Sequence, residues 1–400
     1  MRVRHLSLTN FRLYARLELD LADGLTIVQG DNAQGKTSLL EALYFLATAH
    51  SMHTATDRQV LRWGASDDSP YPFVMIKAGV QRNDGVHALE IGMQLGEGAR
   101  LKKEIRIDHA PRRGVDLVGQ LAVVLFLPND VELASGAPAL RRGFLDDALS
   151  QVDADYVRHL DKFTKALSQR NALLRLGQER RLDPDELEVW NEAIVKNGVQ
   201  IALRRRSAVG QLARLAQPIH RDLSNNAEWL ELVYQPNFDP AAPAGVQDAH
   251  QISLDAGRIP HGMTATDLEQ AYRAALRDRL KEEIARGATL VGPHRDDLRF
   301  IANGMDVGEY GSRGQQRTSV LSLKLAQSQW MRTELGEEPL LLLDEVLAEL
   351  DPNRRRQLLA HIGDTAQTLV TTTDINRFDT TFIQRAHLLG VKSGIVHNLT

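Results

Sequence analysis

Residues 30–37 read GDNAQGKT and fit the pattern G-x-x-x-x-G-K-[ST]. That pattern describes a loop, set between a strand and a helix, that wraps a chain of phosphates. Leu25 to Gln29 has the apolar run of a strand, and Thr37 to Ala49 carries apolar residues at helical spacing. Gly30 and Gly35 let the backbone bend closely enough for the N–H groups across Asp31, Asn32, Ala33 and Gln34 to face phosphate oxygens. The N-terminus of the following helix adds its partial positive charge. Lys36 is then expected to bridge the β- and γ-phosphates, and Thr37 to ligate Mg²⁺ through its hydroxyl. The implied cofactors are ATP and Mg²⁺.

Two later segments complete such a site. Leu340 to Leu343 reads as a buried strand ending in Asp344 and Glu345. Asp344 is expected to hold Mg²⁺, and Glu345 to orient or deprotonate the attacking water. Residues 310–317 read YGSRGQQR and open a helix predicted from about Gln315 to Thr333. Ser312, the Gly314 amide and Gln315 stand where a helix N-terminus receives an anion. A motif placed between the phosphate loop and the acidic strand normally reaches the γ-phosphate held by a partner chain, so a homodimer closed on ATP is expected. Asp351, in AELD, is assigned to that seam, and Thr371 to Thr373 follow a strand at Thr368 to Val370 where a residue can sense the γ-phosphate. GPHRDD at 292–297 has two readings, a loop near the nucleotide or dimer seam, and a structural ion-pair turn.

The two halves of the site stand at opposite ends of the chain, so the middle must fold back. The pattern predicts an α/β fold with one ATPase head split by a mainly helical insertion. The N-terminal part of the head is assigned to 1–150, with a strand at Val3 to Leu8 and antiparallel strands at 73–80, 86–95 and 101–107. The insertion is assigned to 151–288, with two long helices paired antiparallel, a strand at 229–235, a loop at 236–262 and a helix from Thr266, taken as its N-cap, to Arg286. The C-terminal part of the head is assigned to 289–400.

Four hundred residues suffice for two or three domains with a sizeable core. No apolar stretch approaches the roughly 20 residues that span a bilayer. No apolar leader is legible at the N-terminus, so the cytosol is the expected compartment. The absence of cysteine excludes disulfides, thiolate nucleophiles and cysteine-ligated zinc. A net charge of −4 is nearly neutral, but basic residues cluster. Arg100, Lys102, Lys103, Arg106, Arg112 and Arg113 form one group, and residues 158–221 carry 13 Lys/Arg against 7 Asp/Glu.

Across nearly its whole length the chain resembles the RecF family, recombination-repair ATPases of the SMC-like branch of the ABC ATPases. The resemblance is carried by L-x-L-x-N-F-R-x-Y at Leu6 to Tyr14, GKT-x-LLEALY at Gly35 to Tyr44, FLPNDVELASGAPALRRGFLD at 126–146, GATLVGPHRDDL at 287–298, GSRGQQR, and LLLLDEVLAELD. It implies an SMC/ABC-type head with a short coiled-coil-like arm, and a weak, DNA-stimulated ATPase whose hydrolysis releases the dimer. It also implies DNA binding at gap junctions, cooperation with RecO and RecR in loading RecA, fork maintenance and a link to the SOS response. Many relatives carry Asp where this chain has Glu345. The resemblance also implies a glutamine that links Mg²⁺ to the insertion, for which Gln120 and the segment Pro128 to Asp130 are the alternatives.

An ABC-type ATPase subunit driving a transporter or a protein-remodelling complex shares the three motifs, but the basic helical insertion and the N-F-R-x-Y start argue against it. A related nuclease of the overcoming-lysogenization-defect type would need a further acidic domain, and only about 50 residues follow Asp344. The helical insertion is also too short for a full SMC coiled coil.

Overall fold

The computed structural model describes residues 1–399 except 53–55, 66–70, 97–100, 181–182, 239–262 and 364. Arg100, Arg181 and nearly all of the expected 236–262 loop therefore lie outside the described residues. No helix among the described residues is long and apolar enough to cross a membrane.

Along the chain, β1 (Arg2–Phe11), β2 (Tyr14–Asp20) and β3 (Gly24–Gln29) lead into α1 (Lys36–Thr48). There follow β4 (Phe73–Arg82), β5 (Gly85–Leu95), β6 (Leu101–Ile107), β7 (Ala110–Arg112) and β8 (Val123–Phe126). Next come α2 (Glu132–Ser135), α3 (Pro138–Ser150), α4 (Ala154–Leu176), α5 (Pro184–Leu223), β9 (Leu230–Gln235), α6 (Ala265–Arg286), β10 (Asp297–Ala302), β11 (Met305–Asp306) and α7 (Val307–Tyr310). The chain closes with α8 (Arg313–Leu335), β12 (Leu340–Asp344), α9 (Pro352–Ile362), β13 (Gln367–Thr372), α10 (Thr380–Gln384), β14 (His387–Lys392) and β15 (Ile395–Asn398).

Two compact units result, one of Met1–Asp130 with Lys324–Thr400, the other of Val131–Leu323. These boundaries differ from the expected 150/151 and 288/289. Residues 131–150 and 289–323 join the inserted unit because β10 pairs with β9 and the α3 residue Arg141 clamps Asp297 at 2.6 and 2.9 Å.

The first unit holds two sheets. One is antiparallel, in the order β2-β1-β4-β5-β6-β7. The other runs β15-β14-β3-β13-β12-β8, parallel except for the β15 edge. Helix α1 touches strands of both sheets, and Leu39 to Ala47 are all buried. It is a helix buried nearly all round rather than amphipathic, which its run of LLEALYFLA permits. Core residues from the two sheets, such as Leu6, Ile76, Leu342 and Leu369, form one cluster around it.

In the inserted unit α4 and α5 run antiparallel, as contacts Asp153–Arg204, His159–Asn197 and Arg170–Asn191 show. The helix expected from Thr266 is capped two residues earlier. Thr264 and Asp267 make a reciprocal capping box, because Asp267 is the acid at the third helical position. Arg170 on α4 is fully buried, paired with Glu283 of α6 at 2.7 Å and bonded to Asn191 and Thr289 at 2.8 Å. Arg205 on α5 donates to Pro293 O at 2.7 Å and to Tyr156 Oη at 3.0 Å, and pairs with Asp146 at 2.5 Å. Arg170 and Arg205, two of the cluster's 13 cations, are thus structural, and Lys162, Arg175, Lys196 and Arg214 remain exposed.

These contacts build GPHRDD into a buried turn held by ion pairs and hydrogen bonds. Asp296 is buried, accepts from Asn237 N at 2.9 Å and from Tyr234 Oη, and its burial pushes the carboxyl up from its ordinary range. Gly292 has φ +128°, and a Cβ there would collide with Tyr272 Oη. His294 donates from Nε2 to Thr289 O at 3.0 Å, and its buried Nδ1 has no partner among the described residues. Burial lowers its pKa from 6.5 to about 4.

An unfolded chain therefore protonates at this histidine before the folded one does. The stability it contributes is complete above pH 6.5 and lost as pH falls towards 4, by roughly 3 kcal/mol. Urea unfolding should show that loss between pH 7 and 4, and His294→Gln should flatten the curve by the same amount.

Candidate functional site

The phosphate loop leaves β3 at the C-terminal end of the parallel strands, and Asp344 and Thr371 close β12 and β13 at the same end. In open α/β sheets this is the edge where ligands bind. A cleft of about 300 Å³ opens there, lined by Leu13, Lys36, Thr37, Pro128, Asp344 and Glu345 among others.

Three anchors shape the loop. Gly30 N donates to Thr372 O at 3.2 Å, and a side chain at Gly30 would strike Val391 O. Gly35 has φ +115° and its carbonyl accepts from Tyr14 Oη at 2.9 Å. Burial pushes the Tyr14 phenol up, so it stays a neutral donor. Between these anchors, Asp31, Asn32 and Ala33 are exposed. Gln34 turns its side-chain oxygen to Ser393 N at 2.6 Å and its backbone carbonyl to Gly394 N at 3.0 Å, so only its backbone N–H is left to face a phosphate.

Lys36 is buried, donates to Gly30 O and Asp31 O at 2.8 and 2.9 Å, and pairs with Glu345 at 2.9 Å. Thr37 Oγ1 stands 2.8 and 3.0 Å from the two oxygens of Asp344. Thr371 Oγ1 donates to Asp344 at 2.7 Å and accepts from Glu345 N at 3.0 Å. It lies within β13, where the sequence pattern put it just beyond the strand. Glu345 has φ +51°, the left-handed region that a non-glycine residue enters at a cost on the order of 1–2 kcal/mol. Such strain clusters at functional positions. The hydroxyl and carboxylate oxygens of Thr37 and Asp344 are the hard donors Mg²⁺ takes, and Lys36 with the loop amides suits a polyphosphate. The residues present fit both groups.

Of the two alternatives for the metal link, Pro128 lines the cleft and Gln120 does not. Gln120 precedes β8, at the far end of the parallel strands, where it accepts from Arg82 at 3.2 Å. Asp351 caps α9, accepting from Asn353 N and Arg354 N at 3.0 Å. The Arg354 amide and guanidinium hold its carboxyl below the ordinary range.

Ser312, Gly314 and Gln315 belong to the inserted unit. Ser312 is exposed and caps α8, which begins two residues earlier than expected. Its hydroxyl accepts from Gln315 N at 3.2 Å, and Gln315 Oε1 accepts from Ser312 N at 2.8 Å. S-x-x-Q is a legible capping box, and it explains the start at Arg313. Gln315 Nε2 also donates to Glu228 at 2.8 Å, so its side chain is fixed. Tyr14, Thr371 as a brace, and the hairpin contact of Gln34 escaped sequence reading. Only the spacing of Tyr14 after N-F-R hinted at any of them.

A family model described as RecF/RecN/SMC N terminal domain matches residues 2–394. The chain is 42% identical over 409 residues to the DNA replication and repair protein RecF of Chloroflexus aurantiacus, covering 99% of each. It is 38% identical over 398 residues to the protein of the same name from Geobacillus thermodenitrificans, again covering 99% of each. Among solved structures, the recombination mediator protein RecF of the RecFOR pathway, with ATP, aligns at a TM-score of 0.82 and 28% identity, covering 100% of this chain and 97% of that one. The Smc head domain of Pyrococcus furiosus aligns at a TM-score of 0.50 and 14% identity, covering 100% and 96%, a likeness of fold alone.

Thr371→Val removes the hydroxyl that orients both acids while keeping the side chain's shape. ATP turnover should fall by about 10–100-fold, as for other partners that orient a metal ligand, with nucleotide binding changed far less. Turnover and fluorescent-nucleotide titration measure the two; an unchanged turnover would show that Asp344 and Glu345 are positioned without it.

Proposed function

Since the chain belongs to the RecF family of DNA replication and repair proteins, an ATP-binding branch of the ABC-type ATPases, we propose that it is an ATP-gated DNA clamp of recombinational gap repair. The observation that carries the reading is the meeting of Lys36, Thr37, Asp344 and Glu345 on one cleft.

Lys36 and the loop amides bind the β- and γ-phosphates. Thr37 and Asp344 would hold Mg²⁺, which would spread the charge on those phosphates. Glu345 takes a proton from the attacking water once Lys36, its present partner at 2.9 Å, turns to the γ-phosphate. Ser312, Gly314 and Gln315, with Asp351, face the nucleotide of a second copy of the chain, so ATP closes a homodimer and hydrolysis releases it. Exposed Lys162, Arg175, Lys196 and Arg214 supply phosphate contacts for single-stranded and duplex DNA. RecR, RecO and RecA are the expected partners, gap junctions the preferred DNA, and the cytosol the compartment.

Purified protein should bind labelled gapped duplex DNA more tightly with ATP·Mg²⁺ than without, and the affinity should fall steeply with salt. No binding in either state at low salt would contradict the reading. Ser312→Arg should keep ATP binding and lose ATP-dependent dimerisation by light scattering. A Ser312→Arg protein that still dimerises would remove the role in trans.

A further inference from the structure

The turn joining β14 to β15 is Ser393–Gly394, and both residues have positive φ, +49° and +73°. Two successive positive φ values are the mark of a type I′ hairpin. Both amides of this turn point at one residue of the phosphate loop. Ser393 N donates to Gln34 Oε1 at 2.6 Å, and Gly394 N donates to Gln34 O at 3.0 Å. The other end of the Gln34 amide reaches back to Asn32 O at 3.5 Å. Gln34 thus braces its own loop and ties it to the last hairpin.

The hairpin packs closely against the loop and its neighbours. A side chain at Gly394 would press on Leu13 O, and Leu13 lines the cleft. Two residues before the turn, Val391 O lies against Gly30, the first residue of the loop. The loop is wedged between this hairpin on one side and Tyr14 on the other, with only Asp31, Asn32 and Ala33 exposed.

We propose that Gln34 is a positioning residue, and that the Ser393–Gly394 turn sets the phosphate loop in its binding shape before nucleotide arrives. Gln34 acts through the hairpin rather than as a side-chain ligand of ATP. Preorganisation of this kind raises affinity by removing the cost of ordering the loop, and it adds nothing to the chemical step. The inference rests on the cleft being an ATP site.

Gln34→Met keeps the stem and removes both polar atoms on a half-buried side chain, so the fold should be untouched. ATP·Mg²⁺ binding to the full chain should weaken about tenfold, the loss of one to two hydrogen bonds, while turnover at saturating ATP stays within about twofold. The Ser393 amide, whose acceptor is removed, should lose protection from hydrogen exchange, while the Gly394 amide keeps the carbonyl of residue 34. Gly394→Ala should weaken binding to a like extent, and adding Gln34→Met to it should cost little more, since both remove one brace. If Gly394→Ala fails to fold, the exchange and affinity of Gln34→Met decide alone. Unchanged affinity in Gln34→Met, or a matching fall in turnover, would overturn the inference. Wild-type protein that binds no ATP would overturn the reading of the site itself.

Discussion

Strand β3 carries the phosphate loop, and its partners come from the other end of the chain. It is hydrogen-bonded to β13 on one side and β14 on the other, both formed by the last 35 residues. The N-terminal loop therefore takes its shape only when the C-terminal segment has returned across the inserted unit. Loop-closure entropy grows slowly with length, so a long insertion between the two halves is tolerable. What it demands is that the insertion fold by itself, and its buried pairs Arg170–Glu283 and Arg205–Asp146 show how its helices are locked together.

The same return of the chain fixes the electrostatics of the cleft. Lys36 comes from the loop and Glu345 from the end of β12, and each neutralises the other at 2.9 Å. Asp344 is buried, a costly place for a carboxylate, and two hydroxyls from different strands and helices satisfy it. The strained backbone of Glu345 is held by the hydrogen bond its N–H donates to Thr371 Oγ1. The polar groups are aimed in advance, which is what catalysis by charge stabilisation requires.

Much of this was legible in the residues. GDNAQGKT and LLLLDE picked out Lys36, Thr37, Asp344 and Glu345, which the fold brings to one cleft, because each expected role demands a particular residue at a particular spacing. The antiparallel sheet and the paired helices followed from alternation and helical period. Domain borders did not, since β9 and β10 are 67 residues apart and nothing local announces that they pair. GPHRDD looked like chemistry because buried ion-pair turns and active sites use the same residue types. The role of Gln34 depended on a hairpin 359 residues away, beyond any local pattern.

In the proposed dimer each ATP is enclosed by the loop of one chain and Ser312 of another. Mixing two inactive variants, Lys36→Ala and Ser312→Arg, tests it most directly. A mixed dimer joins the intact loop of the Ser312→Arg chain to the intact Ser312 of the Lys36→Ala chain, so ATP turnover should return in the mixture. A mixture as inactive as either variant alone, with mixed dimers shown to form, would contradict a site shared between chains.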